Sequence, residues 1–158
     1  TYPVLKAKAI GENWIINSGI PYTIVRTGSV FGHGDQFTEP LCRLIKLFPG
    51  FFFIPGHGDN LLQPIWIDDL IQSLRLLQQD PKTANRNYSL GGMETLTYRR
   101  IVELIMEKTN RKRWIVSVTP AYLRTFSLWV TQLYPKFPVS IFLFQVRFWE
   151  LYSNQLPI

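Results

Sequence analysis

The sharpest chemical signal lies at the start of the chain: Tyr2 stands four residues before Lys6, and a second lysine, Lys8, stands four residues after Val4. A tyrosine and a lysine four apart on a helix share a face. The ammonium stabilises the phenolate, so the tyrosine hydroxyl can exchange a proton with a substrate carbonyl. That chemistry needs both residues. Tyr2 precedes Pro3, however, and a residue before proline avoids the α region, whereas Lys8 lies well inside a helix-forming stretch. Tyr2 is therefore a weak candidate acid, and counting back from Lys8 finds a valine where the acid would stand.

A second constellation is repeated. "GHGD" occurs at 32–35 and at 56–59, and both histidines of the chain, His33 and His57, sit in these turns beside Asp35 and Asp59. Four metal ligands are conceivable, but Gly and Asp are turn formers first, and the spacing matches no ligand motif. Nothing nearby in sequence fixes the imidazole rings either. Turn chemistry is the expectation, and no metal is assigned. The glycines form neither GxGxxG after a strand nor GxxxxGK[ST], and no serine occupies a G-x-S-x-G elbow. A hydrolase triad has no support here. The single cysteine, Cys42, falls in the helix-like "EPLCRLIKLF" and is expected to be a small buried residue rather than a reactive thiol; no disulfide framework exists.

The elements that must position these residues follow from spacing. Residues 4–18 are good helix formers stopped by Gly19 and Pro21, and "YTIVR" at 22–26 is β-branched and aromatic, a buried strand. A glycine-rich loop, "TGSVFGHGDQF", leads to helical spacing over 38–48 and then to the short extended run that opens "FFFIPGHGD". In "QPIWIDDLIQSLRLLQQD" an acidic N-cap at Asp68 or Asp69 precedes a helix that ends before Pro81. "RNYSLGG" is a strand running into a glycine turn. "TLTYRRIVELIMEKTN" is an amphipathic helix capped by Thr95 or Thr97, and "RWIVSV" a further strand. Beyond Pro120, the stretches 121–134 and 140–152 read as apolar, aromatic helices separated by "PKFP". Alternating strands and helices argue for an α/β fold.

With 158 residues, 46% of them hydrophobic and 18% charged, the chain is globular in character. Net charge is +6, yet the basic residues are scattered except near 98–113, and no nucleic-acid module accompanies them, so no nucleic-acid partner is expected. No run of eighteen uncharged apolar residues appears, and the first residues lack the apolar core of a signal peptide. A soluble, cytoplasmic protein is the expectation. The chain begins with Thr1 at the edge of a helix already under way, which reads as part of a longer polypeptide.

These segments, taken in order, resemble the second half of the short-chain dehydrogenase/reductase superfamily, in its extended and atypical members. "KAIGENWIINSGIPYTIVRTGSVFG" is similar to that family's active-site helix, turn and following strand, with Lys8, Glu12, Ser18, Gly19, Arg26 and Gly32 at matching positions. "PIWIDDLIQSL" and "NYSLGGMETLTYRRIVELI" are similar to its later strand-to-helix junction and its substrate-domain helix. The resemblance covers roughly residues 4–120. It is closest to the atypical group that includes the nucleotide-binding accessory subunit of respiratory complex I and related bacterial NAD(P)-binding proteins.

The resemblance implies a partial Rossmann-type, doubly wound sheet with a small C-terminal α/β substrate lobe. Residues 1–92 would form the cofactor-domain part, with an inserted substrate-side segment, and 93–158 the lobe. It implies NAD or NADP as cofactor, with Lys8 on the nicotinamide ribose hydroxyls and the loop Thr27, Gly28, Ser29 against the nicotinamide end. The family proline after Arg26 is Thr27 here, and the family tyrosine falls on Val4, which has no exchangeable proton. Redox or epimerase chemistry on a small molecule is thereby weakened, and the dinucleotide reads as structural or regulatory. A non-enzymatic reading runs beside it, in which the aromatic segment 121–152 docks on a protein partner or a membrane surface. A third is a nucleotide-sugar or isoprenoid-type reductase whose acid comes from elsewhere. An open sheet edge would make these residues poorly soluble alone.

Overall fold

The computed structural model describes residues 3–119 and 121–122, with side chains from Lys6 onward. Tyr2 lies outside the described residues, as do the aromatic helices expected over 121–134 and 140–152, apart from Ala121 and Tyr122, which are helical. The chain divides into two compact units: residues 1–30 with 63–93, and 31–62 with 94–158. The segment 31–62 thus groups with the C-terminal residues.

In the first unit, helix α1 (Pro3–Ile16) is stopped where expected, since Gly19 adopts φ +75° and the Ser18 hydroxyl donates to the Ile15 carbonyl at 2.7 Å. Strand β1 (Thr23–Thr27) follows at once. The two-residue strand β2 (Val30–Phe31) marks the passage into the second unit.

The second unit continues with α2 (Thr38–Leu47), β3 (Phe51–Pro55) and the two-residue β4 (Leu61–Leu62). The chain then returns to the first unit for β5 (Ile65–Trp66) and α3 (Ile67–Gln79). A 3₁₀ turn (Pro81–Thr83) and β6 (Arg86–Leu90) complete that unit. The second unit resumes with β7 (Leu96–Thr97), α4 (Tyr98–Lys108) and β8 (Trp114–Val118).

Helix α3 starts earlier than the acidic cap expected from the sequence. Trp66 holds the N-cap position in extended conformation, and Asp68 and Asp69 fall in the first turn. There their charges favour the helix N-terminus, and Asp68 accepts the Trp66 indole N–H at 3.0 Å. The crossover from α3 returns the chain beside β1, so β6 runs parallel to it with Thr23 opposite Arg86 and Thr27 opposite Leu90. Asn85, at φ 60°, aligns the strand starts by donating its N–H to the Tyr22 carbonyl at 2.6 Å. Among the described residues β1 and β6 form a ladder only with each other, and α1 exposes Ile10, Trp14, Ile15 and Ile16. Its apolar residues do not gather on one side, whereas a core-facing helix carries a stripe.

The second unit carries the continuous core. β3 alternates with period two, so Phe52 and Ile54 point inward while Phe51 and Phe53 are exposed. α2 contributes Leu41, Leu44 and Ile45, and α4 contributes Tyr98, Ile101, Val102 and Met106, each set on one helical stripe. β3 pairs in parallel with β8, Phe51 opposite Trp114, and β4 pairs antiparallel with β7. Of the two threonines expected to cap α4, it is Thr97 whose side chain accepts the Arg100 N–H, at 3.1 Å.

The two GHGD turns have different work. Asp35 gathers the start of α2: its carboxylate accepts the N–H groups of Gly32 at 3.2 Å and Phe37 at 2.6 Å, and also the N–H and hydroxyl of Thr38. Burial alone would raise the Asp35 pKa, but the Thr38 hydroxyl and these backbone donors outweigh it and hold the carboxyl below its usual value. In the second turn the Gly58 carbonyl accepts the Arg99 N–H at 3.0 Å, and the Arg99 guanidinium donates to the His57 carbonyl at 3.1 Å. Among the described residues no three His, Cys, Asp or Glu side chains converge as a metal cluster. Cys42 is half-buried, and desolvation pushes its thiol pKa up, which disfavours the reactive thiolate.

Candidate functional site

The first unit's parallel pair defines a chemically distinct end. In open α/β sheets, ligands settle outside the carboxyl ends of the strands, and here β1 and β6 end together at Thr27 and Leu90. The Gly28 N–H reaches the Leu90 carbonyl at 3.4 Å, carrying the ladder one step past the last paired residues. Ser29 is buried, and its carbonyl accepts the Ile65 N–H at 2.9 Å. The loop after β1 is thereby tied to the strand that leads into α3.

Across this end three segments meet closely, with the Gln63 side chain among them. A Cβ on Gly28 would stand 3.0 Å from the Gln63 carbonyl oxygen. One on Gly91 would meet the Gln63 side chain at 2.6 Å, and one on Gly92 would stand 1.9 Å from the Pro64 carbonyl oxygen. The Gln63 side chain closes the crossing by donating its amide N–H to the Gly92 carbonyl at 2.7 Å. At Gly28 and Gly92 glycine is required because backbone passes against backbone, whereas at Gly91 the neighbour is the Gln63 side chain. The product is a tight crossing of loops at the strand ends.

The residues expected from the sequence distribute unevenly. Thr27, Gly28 and Ser29 lie at the carboxyl end of β1; Thr27 is exposed and Ser29 is buried. Lys8 is exposed on α1 and makes no hydrogen bond or ion pair among the described residues, so its ammonium is available to a ligand. Val4 lies within α1. Arg26 is committed to an ion pair: its Nε and Nη2 donate to the two Glu12 carboxylate oxygens at 3.2 and 2.5 Å. That hydrogen bond and the neighbouring charge raise the Arg26 pKa and lower that of Glu12, and they fix the end of β1 to α1.

Gln63, Gly91 and Gly92 were not singled out as site residues from the sequence. The glycine pair at a strand end was the visible signal for two of them. Gln63 had none, because its partner lies 29 residues away. The more open clefts lie elsewhere. One of about 690 Å³ borders α4 and β8, and one of about 460 Å³ opens at the start of β1; neither includes Lys8, Thr27, Gly28 or Ser29.

No family model matches the chain. Two curated relatives are similar in sequence, both named NADH dehydrogenase [ubiquinone] 1 alpha subcomplex subunit 9, mitochondrial. The protein from Arabidopsis thaliana is 27% identical over 105 residues, covering 66% of this chain and 26% of the relative. That from Dictyostelium discoideum is 28% identical over 106 residues, covering 66% and 29%. The chain thus spans less than a third of either relative.

Among solved structures, a nucleoside-diphosphate-sugar epimerase from Staphylococcus aureus has a TM-score of 0.63 at 18% identity, covering 95% of this chain and 50% of its own. The dTDP-4-dehydrorhamnose reductase from Bacillus anthracis, in complex with NADP, has a TM-score of 0.62 at 21% identity, covering 72% and 40%. The UDP-glucuronic acid 4-epimerase from Bacillus cereus, in complex with UDP-glucuronic acid and NAD, has a TM-score of 0.57 at 18% identity, covering 73% and 38%. These structures share the Rossmann-like α/β arrangement of parallel strands and crossover helices found here. By its fold the chain is a Rossmann-like α/β protein, and in sequence it is similar to the two relatives.

Proposed function

We propose that this chain supplies one side of a dinucleotide site in an NAD(P)-binding protein. The strand ends of β1 and β6 would receive the nicotinamide end, and Lys8 would donate to the ribose hydroxyls. The observation that carries the reading is the close crossing of Gly28, Gly91 and Gly92 against Gln63 and Pro64 at the carboxyl ends of β1 and β6, where a side chain would collide. The NAD and NADP complexes among the structural neighbours support the choice of ligand. A bound nicotinamide would supply hydride exchange with a substrate carbon.

The chain's own residues are better suited to holding the cofactor than to moving a proton. With Lys8 as the ribose ligand, the position one helical turn before it is Val4, whose side chain has nothing to ionise. The dinucleotide is then structural or regulatory. A protein partner belongs to the same reading, since both curated relatives are named as subunits. Cytoplasmic residence is kept as part of the proposal and is checked by fractionation.

The test is calorimetric titration of NAD, NADH, NADP and NADPH into the full polypeptide that carries this chain. Saturable binding of at least one is expected, weakened about tenfold by Lys8→Ala through loss of a charge-assisted hydrogen bond. Turnover of a carbonyl substrate that vanishes in Tyr2→Phe would overturn the assignment of Val4. Turnover that survives Tyr2→Phe would favour a reductase or epimerase whose acid comes from elsewhere.

A further inference from the structure

One corner of the second unit combines charge and apolar exposure in a way the proposed cofactor site does not use. The turn from α2 into β3 and the turn from α4 into β8 lie side by side there, joined by the Trp114 N–H donating to the Gly50 carbonyl at 2.8 Å. Residues 46–53 and 108–116 carry five cations and no carboxylate, in a chain that has 11 acidic residues. The nearest carboxylates on α4, Glu103 and Glu107, are taken by Arg100 at 3.6 and 3.0 Å. Arg113 turns inward and donates to the Ile45 carbonyl at 3.3 Å, satisfying the C-terminus of α2. Lys108, Arg111 and Lys112 are exposed, and among the described residues no side-chain hydrogen bond or ion pair holds them.

The same two turns carry large apolar side chains that the fold leaves exposed: Trp114 is 75% exposed, Phe51 48% and Leu47 47%. Trp114 and Phe51 touch edge to face, centroids 5.5 Å apart at 81°. Indole and benzyl groups on turns that also carry exposed ammonium and guanidinium groups match the headgroup layer of an anionic bilayer. Aromatic rings partition there, and each cation gains from the negative surface potential. Single-stranded nucleic acid is a poorer match, because bases stack on presented ring faces, whereas these two rings stand perpendicular and Leu47 offers no face at all.

We propose that this corner seats the second unit on an anionic phospholipid surface, with Trp114, Phe51 and Leu47 entering the headgroup region and Lys108, Arg111 and Lys112 facing lipid phosphates. No helix among the described residues is long and apolar enough to cross a membrane. This lipid contact stands independently of the dinucleotide reading.

The test is co-sedimentation of the full polypeptide with phosphatidylcholine vesicles, pure or containing about one-third phosphatidylglycerol. Binding to the anionic vesicles is expected, falling as ionic strength shortens the Debye length. Arg111→Ala with Lys112→Ala should lower the partition coefficient about thirtyfold. Phe51→Ala with Trp114→Ala should lower it at least tenfold. Both double variants keep residues 123–158 unchanged, and both should retain the wild-type melting transition because all four side chains are exposed. Binding equal on both kinds of vesicle overturns the proposal, and so does binding of either double variant equal to wild type. No vesicle binding at low salt, with or without retention of single-stranded RNA, overturns it as well.

Discussion

Replacing Gly92 by alanine would put a methyl carbon 1.9 Å from the Pro64 carbonyl oxygen, 3.0 Å from its carbonyl carbon and 3.5 Å from the Ile65 Cα. A carbon rests no closer than about 3.3 Å to a carbonyl oxygen, so the two backbones must part by more than an ångström. Neither neighbour is a flexible side chain that can swing away. Overpacking of this kind costs about 1–3 kcal/mol, and backbone on both sides places this site at the upper end. Parting the strands also breaks the Gln63 bond to the Gly92 carbonyl, now 2.7 Å long, for about another 1 kcal/mol. Against these, alanine restricts the unfolded chain and returns about 0.4–1 kcal/mol. The net expectation is a loss of about 3 kcal/mol, read as a lower urea midpoint for the first unit with the denaturant slope unchanged. A Gly92→Ala protein within about 0.5 kcal/mol of wild type would refute the claim that these backbones are in contact.

Gly11→Ala is the contrasting substitution: nothing lies within 4 Å of its Cβ position inside α1, so alanine should stabilise the helix by about 1 kcal/mol in the same urea assay. Asp35→Asn removes the ionised acceptor at the start of α2 and should cost about 1–2 kcal/mol at neutral pH. Because the folded pKa of Asp35 is lowered, its stabilisation is present above the unfolded carboxylate pKa and disappears as pH falls through the folded value. Melts from pH 7 down to 2 should therefore show the advantage of wild type over the Asp35→Asn protein shrinking on the acid side. Ile45→Ala empties a site with no solvent exposure between α2 and the sheet and should cost about 2–5 kcal/mol by chemical denaturation.

Much of the fold was legible where a period repeats. Leu41, Leu44 and Ile45, and Ile101, Val102 and Met106, mark core stripes, and both helices form where their spacing says. "YTIVR" and "RWIVSV" give strands because β-branched and aromatic residues run without a break. The two-residue strands β2, β4, β5 and β7 were invisible, since two residues carry no period and pairing alone defines them. Identical GHGD turns could not be told apart by inspection. Asp35 caps the next helix, whereas the second turn is organised by Arg99, 42 residues beyond His57. At the candidate site, Thr27, Gly28 and Ser29 followed from a resemblance, but Gln63 is a distant side chain closing on a backbone carbonyl, which only the folded chain reveals. Arg26 and Glu12, both at positions matching the family, turn out to be partners in one ion pair, which sequence separation alone does not reveal.

The central claim is that the ends of β1 and β6, with Lys8, hold a dinucleotide. Its most direct measurement is calorimetric titration of NADH and NADPH into the full polypeptide, comparing wild type with Lys8→Ala and Gly92→Ala. The account predicts micromolar binding by wild type, about tenfold weaker binding by Lys8→Ala with an unchanged melting transition, and no measurable binding by Gly92→Ala. Absence of binding by folded wild-type protein at millimolar dinucleotide, or affinity unaltered by both substitutions, would contradict it.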